Sequence, residues 1–281
     1  MSVDLELLLY SLAKAFNSTL NLDLDKHTLK FIKKIDEDFN DIVLEDKIYY
    51  YNYAGQIMKT LVNYLDDITV FELKDENDEN KEEYDFKLTW GEDNDVTYIS
   101  MHHNTICVKD ILPVKLMKVC QYRKNTTVSI DYKKKYNEIT KTAYKKIKDN
   151  KKYSEVSNKT KNTYILEPVC ELVYETINKK KKCAKHLYEH IFNESNRIVF
   201  TLYKFRFIMY DFGKDLGEVE TFKMKLCDDN LISLEFNNGT IFNLKLDINS
   251  TDVKKYVSLK FKIKFDNMDD LFLISKGTIK K

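Results

Sequence analysis

Tyr84-Asp-Phe-Lys-Leu-Thr-Trp90, Gly91-Glu-Asp-Asn-Asp95 and Val96-Thr-Tyr-Ile-Ser-Met-His102-His103 read in succession as strand, turn and strand. Aromatic and β-branched residues alternate with polar ones on both sides of a glycine-led polar stretch, which is the pattern of a β-hairpin. Antiparallel pairing of the two strands sets Asp85, at the start of the first, against Ser100, His102 and His103 at the end of the second. Residues two apart on a strand share a face, so the hairpin gathers an acid and a polar cluster at one end.

Helical periodicity precedes this hairpin at 3–16, 26–39 and 47–65, and Ile68-Thr-Val-Phe-Glu-Leu73 predicts a strand. The acidic stretch Asp75-Glu-Asn-Asp-Glu-Asn80 reads as a loop, and a third strand is expected at 105–108. After Pro113 the pattern returns to helix through Lys115-Leu-Met-Lys-Val-Cys120, then across 131–149 and 168–192. From about 196 onward it alternates as β-rich segments at 197–210, 219–226, 231–236, 240–246 and 256–265, with Asn237-Asn-Gly239 as a type I′ hairpin signal. The organisation expected is a mixed α/β, or α+β, protein with residues 1–195 as a core in the order helices, strands, helices and 196–281 as a β-rich part. The second part either stands alone or extends the first sheet.

Composition narrows the function classes. A chain of 281 residues with 43% hydrophobic and 13% aromatic content, and only 6 Gly and 2 Pro, builds one large core or two small ones rather than a linker-rich or disordered chain. No run of about 18 apolar residues occurs, and Met1-Ser-Val-Asp-Leu-Glu6 lacks the basic and apolar regions of a signal peptide, so a cytoplasmic or nuclear protein is expected, the cytoplasm first. Cys107, Cys120, Cys170, Cys183 and Cys227 are widely spaced without a Cys-x-x-Cys pair, which favours reduced, mostly buried thiols over a disulfide framework or zinc ribbon.

The net charge of +1 hides a segregation: residues 66–85 hold ten acids against two lysines, and residues 131–163 hold eleven lysines against four acids. Such a division suits neutralisation of phosphates in one place and a divalent cation in another, and it equally suits a solvated lysine-rich face. Two further patterns compete for attention. Glu72-Leu-Lys74 after Asp66-Asp67 has a Glu-x-Lys form, and Lys87 shares a strand face with Asp85. Cys183, His186 and His190 fall at i, i+3 and i+7 on one helix face; they bind zinc only if a fourth ligand comes from elsewhere, and amphipathic helices produce such rows without metal.

Asp85 followed by Ile99-Ser-Met-His-His-Asn104 resembles the Asp then Ile-Ser-Leu-Lys-His-Asn pattern of certain type II restriction endonucleases of the PD-(D/E)XK superfamily. The stretch from Phe236-Asn-Asn-Gly239 through Asp247-Ile-Asn-Ser-Thr251 to Ser258-Leu-Lys-Phe261 resembles the same enzymes in the same order. The resemblance implies a restriction-endonuclease-like mixed central sheet flanked by helices, a homodimer, and sequence-specific cleavage of double-stranded DNA. Cleavage is in-line attack of water on a phosphodiester, with Mg2+ activating the nucleophile and neutralising developing charge. It places Asp85 as first metal ligand, Ser100 where an acid is usual, and His102 where the lysine stands. An imidazole can donate to a phosphate or accept a proton from water near neutral pH. Gln56, in Tyr53-Ala-Gly-Gln-Ile-Met58, takes the place of a helix glutamate.

The resemblance also implies DNA contacts from Lys245, Asn249, Ser250, Thr251, Lys254, Lys255, Lys260 and Lys262, with lysines and hydroxyls on backbone and Asn on adenine. Because an acid and the lysine are replaced, a catalytically inactive DNA-binding or scaffold protein that retains the fold is the alternative. A helical and β-rich interaction module that never meets nucleic acid is the third reading.

Overall fold

The computed structural model describes residues 3–22, 24–74, 84–103, 110–178, 183–192 and 197–279. The chain is of the α+β class. Helices α1 (Leu5–Leu20), α2 (Lys26–Asp41) and α3 (Leu44–Tyr64) lead into strands β1 (Ile68–Leu73), β2 (Phe86–Trp90) and β3 (Asp95–His103). Then come α4 (Leu116–Val119), α5 (Thr127–Ile147), α6 (Asn158–Lys161), a π-helical stretch at Asn162–Leu166, α7 (Glu167–Asn178) and α8 (Ala184–Ile191). Strands β4 (Arg197–Tyr203), β5 (Arg206–Asp211), β6 (Phe222–Asp228), β7 (Leu231–Phe236), β8 (Ile241–Ile248) and β9 (Leu259–Phe265) follow, then α9 (Met268–Phe272) and β10 (Leu273–Thr278).

Two compact units result, each assembled from separated stretches. Met1–Cys107, Glu194–Lys214 and Phe272–Lys281 make the first, and Val108–Asn193 with Asp215–Leu271 make the second. The first holds a six-stranded sheet in the order β1-β2-β3-β4-β5-β10, the second a four-stranded sheet β6-β7-β8-β9. Residues 196–281 are therefore divided between both sheets: β4, β5 and β10 extend the first, while β6 to β9 form the second. The expected strand at 105–108 and the expected boundary at 193–196 lie outside the described residues.

In the first unit β3 and β4 pair in parallel, whereas the other strand pairs are antiparallel. Parallel neighbours need a long crossover, and here the chain between them carries the first stretch of the second unit. Alternation puts Phe71, Phe86, Leu88, Ile99, Met101, Ile198, Phe200 and Phe207 on one face, buried with Phe16, Tyr53, Ile57 and Leu61 of the helices. The ring of Phe71 stacks on Phe16 at 5.0 Å and meets Phe86 in a tilted pair at 5.1 Å between centroids. Tyr53 is fully buried, and its hydroxyl lies 2.9 Å from the Tyr203 carbonyl oxygen and 2.8 Å from that of Arg206, which ties α3 to the β4–β5 turn.

Asp25 caps α2, its carboxylate accepting from the amides of His27 at 2.9 Å and Thr28 at 3.0 Å. Burial pushes this carboxyl up, but hydrogen bonds from the Thr28 side chain and the two amides outweigh it and hold it below the usual carboxylate range. A lowered folded value contributes stability that is full above the unfolded pKa, about 3.9, and lost as pH falls through the folded value. Asp25→Ala is expected to cost about 1 kcal/mol at pH 7. In urea unfolding, its deficit against wild type narrows below about pH 4; a deficit that is constant with pH would contradict this.

The hairpins separate turn chemistries. The 91–94 loop between β2 and β3 holds Gly91 at φ 72° and Asn94 at φ 56°. At Asn237-Asn-Gly239 the type I′ expectation is corrected, because only Gly239 has positive φ, at 87°. The Gly239 amide donates to the Phe236 carbonyl at 3.0 Å, as in a type I turn followed by a left-handed glycine.

Candidate functional site

The site is built from the start of β2 and the end of β3. Phe86 pairs with Ile99 in an antiparallel register, so the segment around Asp85 meets the segment around Ser100. The Asp85 amide donates to the Ile99 carbonyl at 2.8 Å, and the Asp85 carbonyl accepts from Lys74 at 3.0 Å. Its carboxylate Oδ2 accepts from the Met101 amide at 2.6 Å, where the backbone ladder would otherwise continue. This short charge-assisted bond seats the carboxylate between Ser100 and His102 in the chain.

Ile99 and Met101 belong to the helix-covered core, so alternation turns Ser100 and His102 to the opposite face. Across the parallel pair Ser100 sits opposite Val199, and His102 sits opposite Thr201. Ser100 is 1% exposed and Thr201 3%, while Asp85 and His102 are half-buried. The Thr201 hydroxyl is buried without a hydrogen-bond partner among the described residues. Thr201 carried no signal in the sequence: its place beside His102 depends on strands joined by a crossover of more than ninety residues.

The remaining assigned residues fall elsewhere. Gln56 is exposed on α3, whose buried residues Tyr53, Ala54, Ile57 and Leu61 pack on the Ile99–Met101 side of the sheet. The expected convergence of Gln56 with Asp85 is thus corrected, because the helix presents its apolar face to the strands and Gln56 lies off that face. Glu72 is spent on Lys87, an ion pair of 3.0 Å between directly opposite residues of β1 and β2. A cavity of about 410 Å³ lined by Trp90, Asp95, Thr97 and Asp211 lies at the other end of β2 and β3, away from Asp85 and His102.

In the second unit Lys245 is exposed on β8, whereas Lys260 on β9 is paired with Asp110 at 2.6 Å. Asn249 is exposed, and its amide donates to the Ser258 carbonyl at 2.8 Å. The Ser250 hydroxyl turns back on its own loop, donating to the Asp252 carbonyl at 3.0 Å. The helical row of Cys183, His186 and His190 does not close on a metal: no group of three or more His, Cys, Asp or Glu side chains suited to one occurs among the described residues. Cys183 instead hydrogen-bonds the buried thiol of Cys120, a contact that lowers Cys183 and, with burial, raises Cys120. Cys120, Cys170 and Cys183 are buried thiols and Cys227 an exposed one, with no disulfide among them.

Against known proteins, the chain is 39% identical over 300 aligned residues to "Uncharacterized protein R607" of Acanthamoeba polyphaga mimivirus, covering 99% of this chain and 100% of that protein. The chain belongs to the family of that mimivirus protein. No family model and no solved structure matches it. No helix among the described residues is long and apolar enough to cross a membrane.

Proposed function

We propose that this protein binds double-stranded DNA and hydrolyses its phosphodiesters with Mg2+ as a homodimeric endonuclease of the type II restriction kind. The observation that carries the reading is the Asp85 carboxylate held 2.6 Å from the Met101 amide, between Ser100 and His102 on the neighbouring strand. The mixed sheet, with β3 and β4 parallel, is the other support.

Asp85 is the carboxylate that would hold Mg2+, an ion commonly bound by one or two carboxylates with water and substrate phosphate completing its octahedron. The ion supplies charge neutralisation at the phosphate when bound. The chain's own part is positional. Asp85 is fixed by the Met101 amide, and His102, opposite Thr201, offers an imidazole that donates to a phosphate oxygen or takes a proton from water.

One observation favours the second reading, a DNA-binding or scaffold protein that no longer cuts. Ser100 stands buried where an acid is expected, and Gln56 is exposed on α3 where a helix glutamate is expected, so two of the expected acids are replaced by uncharged residues. Supercoiled plasmid incubated with Mg2+ or Mn2+ decides between them. Conversion to nicked and linear forms is expected; DNA that is bound but left intact at both metals means the scaffold reading holds.

A further inference from the structure

The second sheet buries one face and leaves the other to solvent. Phe222, Met224, Ile232, Leu234, Phe242, Leu244, Phe261 and Ile263 are buried, and the alternate positions carry Lys223, Lys225, Lys245, Lys260, Lys262 and Lys264 against Glu235 and Asp247. Lys262 pairs with Asp247 at 2.8 Å and Lys260 with Asp110 at 2.6 Å. Among the described residues Lys223, Lys225, Lys245 and Lys264 make no ion pair, and all four are exposed.

The strand registers turn this composition into a pattern. Lys225 is opposite Ser233, Ser233 opposite Asn243, and Asn243 opposite Lys264, so one straight row crosses all four strands with an ammonium at each end and hydrogen-bonding groups between. In the next row Lys245 lies directly opposite Lys262. Like charges at directly opposed positions destabilise a sheet, and this one is only partly relieved by Asp247. A bound polyanion removes the repulsion.

We infer that this exposed face of the second sheet is a docking surface for the phosphate backbone of duplex DNA. Duplex DNA as the occupant rests on the function proposed above, whereas the lysine pattern by itself fits a polyanion. The row spans three inter-strand spacings, about 14 Å at ~4.8 Å each. That is comparable with the ~12 Å width of the B-DNA major groove, so lysines at its two ends reach phosphates on both edges. No Tyr, Phe or Trp occurs among the outward positions named here, which disfavours single strands, whose bases need aromatic platforms.

The test is fluorescence anisotropy of a labelled 20-base-pair duplex in EDTA, so that cleavage plays no part. Wild type is compared with Lys225→Gln/Lys245→Gln/Lys264→Gln. The control, Lys30→Gln/Lys33→Gln/Lys59→Gln, makes the same net charge change on exposed positions of α2 and α3. Each lost phosphate contact lowers the slope of log affinity against log salt by about 0.9, so the sheet variant is expected to lose roughly 100-fold in affinity at 0.1 M salt and about 2 to 3 in slope. The control stays within about threefold of wild type. Sheet and control variants of equal affinity would overturn the inference, as would a preference of wild type for single strands or for vesicles of anionic lipid. Each of those outcomes leaves the Asp85 site to be judged separately, by plasmid cleavage.

Discussion

Replacing Asp85 by Asn is expected to leave the fold intact while lowering Mg2+-dependent cleavage by roughly 100-fold or more. The side chain has two duties that this substitution separates. As a hydrogen-bond acceptor it satisfies the Met101 amide at the end of the β2–β3 ladder, and an amide oxygen does that nearly as well. As a charge it is the carboxylate that the proposed function gives to a divalent ion, and an amide does not replace it. Asp85→Ala removes both. It leaves the Met101 amide unsatisfied, at a cost of about 1–3 kcal/mol, which appears as a lower urea midpoint alongside lost cleavage. The paired measurement is informative because a purely structural Asp85 gives a different result: Asn then behaves as wild type in both assays, and the nuclease reading fails at its first residue.

Gly277→Ala is expected to be the most destabilising single-methyl change in the first unit, costing about 3 kcal/mol. Gly277 on β10 lies directly opposite Phe207 on β5, and the Phe207 ring lies across it, so an added Cβ would overlap three ring atoms. The ring is 1% exposed, packed at 5.6 Å from Phe200 and 6.1 Å from Tyr53, and has nowhere to retreat. Interiors are close-packed, so the strain passes to the backbone pairing of β5 with β10. Urea unfolding of the single variants and of Gly277→Ala/Phe207→Leu checks the cause. With a smaller side chain at 207 the alanine should cost much less, giving a non-additive cycle. Additive losses would mean that Gly277 matters for some reason other than the ring.

The elements legible in the sequence are those governed by local periodicity. Expected helices at 26–39 and 47–65 emerge as α2 and α3, and the expected strand at 68–73 is β1 residue for residue. The stretch 197–210 forms the hairpin of β4 and β5, and 168–192 corresponds to α7 and α8. Less legible were segments whose structure depends on distant partners. The strand β10, Leu273–Thr278, alternates weakly, with Gly277 next to its last residue, and is held by its pairing with β5 and by the ring of Phe207. The short helix α6 and the π-helical stretch after it, at 158–166, likewise gave no clear period. For the candidate site, the hairpin signal brings Asp85 close to Ser100 and His102, whereas the place of Gln56 follows only from the resemblance, and helix packing puts it elsewhere.

By itself the sequence determined where the chain turns, which faces of its helices and strands are apolar, and that Asp85 and the Ser100–His102 segment lie at one end of a hairpin, because each of these is set by local alternation and a tight turn. Only the tertiary structure decided that two inserted stretches make a second unit, that Thr201 lies beside His102, and that Lys225, Ser233, Asn243 and Lys264 form one line across four strands. Strand pairing fixes those relations. Its register comes from burying one continuous apolar face, a condition that residues far apart in the chain satisfy together and no local window contains.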